Sequence, residues 1–219
     1  ATQETTMTES FVPRPHTPAE NRLSLLAAIF LGLAATLTAF SAYQAALEDG
    51  DSLTAFTEST AALGEANHLY GVANQVQVGD RQLFVEFATT AQDPDAPPRA
   101  AAYIRTLMRP EMVAALDWWL DNDESLTPFD DLPGNPYEVA ELDQADVKAA
   151  AAQAAYDRAI ENDEVGDRFD LATVLFALTL FFGGIATLFR RYAVSVGLLV
   201  VAALSLAAGS VQLTMALAA

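Results

Sequence analysis

One pair of residues in the sequence has the spacing of a metal-binding motif. Glu65 and His68 stand three positions apart in a segment of helical character, so a carboxylate and an imidazole would share one helix face. A complete di-iron site in a helical bundle needs two Glu-x-x-His motifs and two further carboxylates. The one other histidine, His16, precedes the first of three apolar segments, and we expect it on the opposite side of a membrane. A metal-binding bundle at Glu65 and His68 would therefore require a homo-oligomer, and chance spacing in an acidic helix is the alternative interpretation.

A second acidic stretch partly matches a calcium-binding loop. Residues 121–125 read Asp-Asn-Asp-Glu-Ser, which would supply the oxygen ligands that calcium and magnesium prefer. The match then fails, because Leu126 stands where the loop needs a glycine and Leu132 stands where it needs a bidentate glutamate. We interpret the stretch as a solvated acidic loop, with adventitious calcium or magnesium binding as the alternative.

The residues that nucleophilic catalysis requires do not form a recognisable set. The chain has no cysteine, which excludes disulfides, thiolate metal sites and thiol chemistry. Serines are present, but no glycine-rich nucleophile elbow or phosphate loop accompanies them, and the segment that contains His68 has no second histidine to act as a base. We therefore predict that the protein is not an enzyme and needs no cofactor.

Three stretches of the chain contain no Asp, Glu, Lys or Arg, namely 23–47, 171–189 and 192–219. At about 1.5 Å per helical residue, each reaches roughly 28 Å or more, which matches a hydrocarbon core of about 30 Å. The first span gains a helical lead-in, because Thr17-Pro18-Ala19-Glu20 combines an N-cap, a proline and a glutamate. We predict transmembrane helices over 18–47, 171–189 and 192–219. The first is expected to be an uncleaved anchor, since it exceeds the apolar region of about 7–15 residues in a signal peptide.

Four arginines predict the orientation of these spans. Arg14 and Arg22 precede the first span, while Arg190 and Arg191 form the turn between the second and third. Basic residues in short flanking segments stay on the cytoplasmic side, and two spans separate the two pairs, so both pairs can be cytoplasmic. This predicts a cytoplasmic polar tail over 1–17, a cytoplasmic turn at 190–191 and an extracytoplasmic C-terminus.

The segment between the first two spans carries the excess negative charge. Residues 48–170 contain 26 acidic and seven basic side chains, a net charge of −19 in a chain of net charge −18. A polyanionic surface repels phosphates, so nucleic acid is not an expected partner. The chain has one lysine against ten arginines, which fits a prokaryote with a GC-rich genome or a salt-adapted one. We expect the plasma membrane of a prokaryote, with this acidic domain outside.

The acidic domain is predicted to be helical, because no stretch shows sustained period-two alternation. In 52–78 a seven-residue repeat indicates a helical stripe with a polar half; it consists of Phe56, Leu63 and Tyr70, interleaved with Leu53, Thr60, Asn67 and Asn74. The asparagines either are buried and fix the register between helices or form an outward polar edge. The whole chain is thus predicted to be an all-α integral membrane protein, with an acidic extracytoplasmic bundle of about four helices inserted between the first and second of three transmembrane helices.

Several local signals predict where the helices of this domain begin and end. Gly50 could break or bend the first helix, and Val78-Gly79-Asp80 predicts a helix stop followed by a new helix to about Thr90. Further helices are expected over 99–108, from Pro110, and from Asn135-Pro136 to about Asp163, separated by loops at 92–98 and 121–134. Of Trp118 and Trp119, we expect one in the core and one exposed.

Small residues at regular intervals predict faces on which helices can pack closely. They are Ala28 and Gly32 in the first span, Ser205 and Gly209 in the third, and Ala145, Ala149 and Ala152 in the last outer helix. The adjacent Gly183 and Gly184 in the second span either serve the same purpose or permit a local bend. Besides membrane lipids, the expected partners are further copies of the chain or other membrane-protein subunits.

These features favour a non-enzymatic membrane scaffold or accessory subunit that self-associates or joins a larger assembly. The three charge-free runs contain no Asp, Glu, Lys, Arg or His side chain, although proton relays and ion-coupled transporters usually need one. The first alternative is an oligomeric channel or transport protein, in which the acidic domain concentrates cations before a hydroxyl-lined pore. The second alternative is the metal-binding bundle at Glu65 and His68.

Overall fold

The computed structural model describes residues 18–122, 127–189 and 191–219, without the side chains of 18–24 and 26. These residues form five α-helices and no strand. The helices are α1 (Pro18–Gln92), α2 (Ala100–Leu107), α3 (Pro110–Asp121), α4 (Ala140–Ala186) and α5 (Tyr192–Leu217). The predicted all-helical class is therefore confirmed over the described chain.

Prolines mark most of the helix boundaries. Helix α1 begins at Pro18, as predicted, and ends two residues before Pro94, where the predicted loop follows. Helix α3 carries Pro110 in its first turn, because a proline there removes only an N–H that has no partner within the helix. Neither α1 after Pro18 nor α4 contains a proline. No proline therefore interrupts either of these long helices.

Three predicted helix boundaries were wrong. Helix α1 continues without a stop through Gly50 and through Val78-Gly79-Asp80, and α4 does not end near Asp163 but continues to Ala186. A glycine inside a helix costs about 1 kcal/mol relative to alanine, which tertiary packing readily outweighs. Helix α4 also begins at Ala140 rather than directly after Asn135-Pro136.

Three of these helices, α1, α4 and α5, are long and apolar enough to cross a membrane. Their apolar stretches coincide with the three charge-free runs of the sequence. Within an apolar stretch of 18 residues in each helix, the buried share of the residues is 17% in α1, 33% in α4 and 22% in α5. Most of that apolar surface therefore faces away from the chain's own core.

The described chain divides into two compact units, of which the first consists of the described residues up to Ser52 and from Glu161 onward. Its core joins α1, α4 and α5, with Phe169 and Phe176 almost fully buried. Two hydroxyls connect α4 to α5, because Thr179 Oγ1 donates to the carbonyl of Ala202 at 3.3 Å and Ser195 Oγ donates to the carbonyl of Ala186 at 2.8 Å. These bonds satisfy polar groups inside an apolar core.

The second unit consists of Leu53–Ile160 and contains two packing regions. In the first, α1 and α4 run antiparallel, as the ion pairs Glu58–Arg158 (3.0 Å) and Glu65–Lys148 (2.8 Å) show. Small side chains line the contact between the two helices. The buried alanines are Ala55, Ala66 and Ala73 on α1, and Ala145, Ala152, Ala155 and Ala159 on α4. Alanines allow the two backbones to approach closely.

The other packing region of this unit is an aromatic and aliphatic cluster. Helices α2 and α3 contribute Ile104, Met108, Met112, Leu116 and Trp119. A chain of edge-to-face contacts runs through it, with ring centroids 5.1 Å apart for Trp119–Phe84, 5.6 Å for Phe84–Phe129 and 5.0 Å for Phe129–Tyr137. Trp119 is buried and Trp118 is half-buried, which agrees only in part with the expectation of one buried and one exposed tryptophan.

Candidate functional site

The most developed polar site lies in the second unit and centres on Asp80, which is only 4% exposed. Its Oδ2 accepts a hydrogen bond from Arg109 Nε at 2.8 Å and another from the hydroxyl of Tyr137 at 3.0 Å. The guanidinium of Arg109 also lies 5.3 Å from the centre of the Tyr137 ring. Three elements thus meet here: α1, the residue before α3, and the loop before α4.

The other nitrogens of Arg109 are engaged as well. Nη1 donates to Glu111 at 3.1 Å and Nη2 donates to the backbone carbonyl of Glu138. Beside the guanidinium is a cavity of about 250 Å³, lined by Val76, Arg109, Glu111, Glu138, Ala140 and Glu141. Three glutamates against one already paired arginine would attract cations to this cavity and repel anions.

The network changes the acidity of two of its members. Burial alone would lower the pKa of Arg109, but its hydrogen bond and charge attraction to Asp80, together with its interaction with Tyr137, outweigh burial and raise that pKa. Burial raises the pKa of Tyr137, the hydrogen bond to Asp80 raises it further, and Arg109 opposes this rise. The network therefore favours a charged guanidinium and a neutral phenol.

This shift predicts a loss of stability in alkaline solution. The native protein holds the Tyr137 proton more tightly than the unfolded chain does, so the contribution is complete below about pH 10 and disappears as the pH rises through the higher native pKa. Unfolding in mild detergent should therefore become easier from about pH 10 upward, and the slope should be smaller in Tyr137→Phe. Equal slopes for the wild type and this variant would contradict the prediction, and Tyr103→Phe, at an exposed position on α2, is the control.

The predicted metal ligands Glu65 and His68 are both exposed on α1. The carboxylate of Glu65 is engaged, because its Oε2 lies 2.8 Å from Lys148 Nζ. Within the described part of the chain, no group of three His, Cys, Asp or Glu side chains is arranged to hold a metal ion. The motif therefore stays a prediction that would need another copy of the chain.

Four further residues singled out in the sequence lie wholly or partly outside the described residues. His16 and Arg14 precede Pro18, Arg190 is not described, and the side chain of Arg22 is not described either. In the acidic loop, Asp121 and Asn122 are exposed at the end of α3, while 123–126 lie outside the described residues. Arg191 is exposed and forms the N-cap position of α5.

The predicted packing residues of the first unit differ in their surroundings. Gly209 is buried, and a Cβ atom there would lie 2.7 Å from the Phe176 ring. Gly183 is also buried, and a Cβ atom added there would lie 3.2 Å from the side chain of Leu31. Gly184 and Ser205 are half-buried. Gly209 and Gly183 thus admit a neighbouring side chain against the helix backbone.

The remaining predicted packing residues lie on α1 and α4. Ala145 and Ala152 are buried and Ala149 is half-buried, against α1 in the second unit. Ala28 and Gly32 are exposed, and a Cβ at Gly32 would meet no atom within 4 Å. Close packing at Ala28 and Gly32 therefore stays a prediction for contacts outside a single chain.

Sequence reasoning missed the polar network of Asp80, Arg109 and Tyr137. A signal was present, since Asp80 follows Ala66 and Ala73 at the same interval of seven, and both alanines are fully buried. A carboxylate in phase with a buried stripe indicates a paired, buried charge. The local sequence Val78-Gly79-Asp80 instead predicts a helix stop at this position.

Comparisons with known proteins found no relative of this chain. No protein-family model, no curated protein and no solved structure matches the chain.

Proposed function

We propose that the protein is a non-enzymatic, multi-pass membrane protein that self-associates or serves as an accessory subunit of a larger membrane assembly. One observation carries this proposal: the second unit exposes large apolar side chains despite its strongly acidic composition. On α1 alone, Leu53, Leu63, Val78 and Val85 are 68%, 50%, 45% and 58% exposed. Exposed apolar side chains grouped on one element favour a protein contact.

The proposal includes the topology that the arginines predict. Arg191 stands at the start of α5, and the charge-free run of the first span ends at the acidic residues Glu48 and Asp49. Basic flanks inside and acidic segments outside support a cytoplasmic N-terminus and an extracytoplasmic acidic domain. In intact cells, a membrane-impermeant maleimide should label a cysteine introduced at Val147, whereas one introduced at Leu188, beside the arginine turn, should be labelled only after the membrane is permeabilised. The reverse labelling would invert the topology.

An oligomeric channel with an acidic outer vestibule is the second candidate, and the structure supports it less. Three hydroxyls of the spans that could line its pore are engaged with backbone carbonyls: Thr36 with Gly32 (3.0 Å), Thr38 with Ala34 (2.7 Å) and Ser210 with Leu206 (2.9 Å). Such bonds leave a hydroxyl with less capacity to replace the hydration shell of an ion. The hydroxyl of Ser41, by contrast, is buried with no hydrogen-bond partner among the described residues. Ion flux through liposomes that contain the purified protein would favour this candidate.

The test of the proposed function is the assembly state in native-like membranes. The full-length protein would be extracted in membrane nanodiscs without detergent and examined by single-molecule photobleaching and mass photometry. A defined oligomer, or a partner retained in constant proportion, is the expected result. A uniform population of lone monomers across a tenfold range of protein density would contradict it.

A further inference from the structure

One face of α1 in the second unit has a composition unlike the rest of that unit. It runs from Leu53 to Val85 at alternating steps of four and three residues, and every position on it is exposed. We call it the outer α1 face; its positions are Leu53, Thr57, Thr60, Gly64, Asn67, Gly71, Asn74, Val78, Arg81 and Val85. Arg81 is its one charged residue, and its guanidinium lies 5.7 Å from the centre of the Phe129 ring in the same unit. Alternating steps of this kind place side chains in one line along a helix, as at the contact of two coiled helices.

The outer α1 face has no uncompensated negative charge. The second unit contains 18 acidic and six basic side chains. Between Leu53 and Val85, however, the only carboxylates are Glu58, Glu65 and Asp80, and each is paired with a cation inside the unit. An acidic unit can approach another acidic unit only through a face of this kind, because elsewhere like charges would repel.

Two glycines on this face have no explanation within one chain. A Cβ atom added to Gly64 or to Gly71 would meet no atom within 4 Å, so neither glycine is required by a close contact in the second unit. Glycine nevertheless weakens a helix relative to alanine. Glycines spaced at seven residues on an exposed helix face are explained by the close approach of another helix backbone.

We propose that the outer α1 face packs in parallel against the same face of a second copy of this chain. This inference rests on the proposed membrane insertion and self-association. It adds which surface of the protein forms the contact between copies. Two copies with the same membrane topology are related by a two-fold axis along the membrane normal, which places each residue of the face opposite its own equivalent. Gly64 and Gly71 then allow the helices to approach, and the amides of Asn67 and Asn74 meet their equivalents.

The chemistry of the face fits a second copy better than a different protein. An asparagine amide is both a donor and an acceptor, so two equivalent amides can pair across a two-fold axis and fix a parallel register. A basic partner would instead bind where the unit is acidic, for example near Asp143 and Asp146 on α4.

Single cysteines provide the test, because the chain has none of its own. Asn67→Cys and Asn74→Cys would be expressed in full-length protein, and membranes would be oxidised with copper phenanthroline. Disulfides form only when the two Cα atoms lie within about 7 Å, so both variants should give covalent dimers at least about fivefold above Val147→Cys, which is exposed on α4. Thermal unfolding of each variant verifies that it remains folded.

The outcomes separate this inference from the proposed function. A defined oligomer without enhanced dimers at Asn67→Cys and Asn74→Cys would overturn the assigned face and leave self-association in place. A lone monomer would overturn both. Cross-linking to a different protein would support an assembly and overturn the second copy as occupant of the face.

Glycine-to-alanine substitutions give an independent test, because they should change the melting temperature and the dimer yield in opposite directions. Gly64→Ala combined with Gly71→Ala should raise the melting temperature of the monomer, because alanine favours a helix, yet reduce the cross-linked dimer of Asn67→Cys about tenfold. Gly79→Ala is the matched control, since its added Cβ also meets no atom within 4 Å and position 79 lies off the face. Equal dimer yields in the double variant and the control would overturn the proposal.

Discussion

Replacing Arg109 with alanine is expected to lower the free energy of unfolding by about 3 kcal/mol, because it leaves the carboxylate of Asp80 buried without its cation. The side chain of Asp80 is 5% exposed and that of Arg109 is 24% exposed. After the substitution, Tyr137 would be the remaining donor to Asp80 in the network described above. One hydrogen bond from a neutral phenol cannot replace a charge-assisted bond together with the attraction of a full positive charge.

The measurement is chemical unfolding in mild detergent, followed by tryptophan fluorescence. Both tryptophans of the chain, Trp118 and Trp119, belong to the second unit, so the signal reports on the unit that contains the network. The control is Arg105→Ala, which breaks the Arg105–Asp117 pair at 2.7 Å with side chains 41% and 47% exposed. An exposed pair of this kind contributes about 0–1 kcal/mol. Equal losses in the two variants would contradict the assignment of a buried pair.

A second variant separates the cost of the unpaired carboxylate from the loss of the arginine itself. Asp80→Ala combined with Arg109→Ala removes both charges, so no buried carboxylate remains without a cation. The double variant should be more stable than Arg109→Ala alone, because the desolvation cost of the isolated charge disappears. A double variant no more stable than Arg109→Ala would contradict this, because removing the unpaired carboxylate would then have recovered nothing.

The long helices could be predicted from the sequence because their signal is composition over many residues. Charge-free runs of 19 residues or more leave few alternatives to a membrane-compatible helix, and α1, α4 and α5 contain them. The stop at Val78-Gly79-Asp80 could not be judged in the same way, because a single glycine is a weak local signal. Whether it ends a helix depends on tertiary contacts, and here Asp80 is fixed by Arg109 and Tyr137.

The polar network could not be predicted, because the sequence does not show which distant residues contact one another. Arg109 and Tyr137 lie 29 and 57 positions from Asp80, and no periodicity links them. The asparagines show the same limit on a smaller scale. The seven-residue pattern placed Asn67 and Asn74 on one stripe, but it could not decide between a buried and an outward position, and in the single chain both are exposed.

Replacing Trp119 with alanine is expected to lower the free energy of unfolding by about 3–5 kcal/mol, the usual cost of truncating a buried aromatic side chain. Trp119 is 9% exposed and its ring centroid lies 5.1 Å from that of Phe84, in an edge-to-face contact. The substitution removes this contact and leaves a cavity between α1 and α3. Unfolding is measured as before, with Trp118 as the remaining fluorophore.

Tyr103→Ala is the matched control, because it also truncates an aromatic side chain in the second unit, at a position on α2 that is 66% exposed. An exposed substitution usually changes stability by about 0.5 kcal/mol or less. Trp119→Phe should recover a large part of the loss, since a phenyl ring refills most of the space against Phe84. If Trp119→Ala and Tyr103→Ala destabilised the protein equally, the aromatic cluster would not be the core of the second unit, and the position of Phe129 and Tyr137 beside Asp80 would need another explanation.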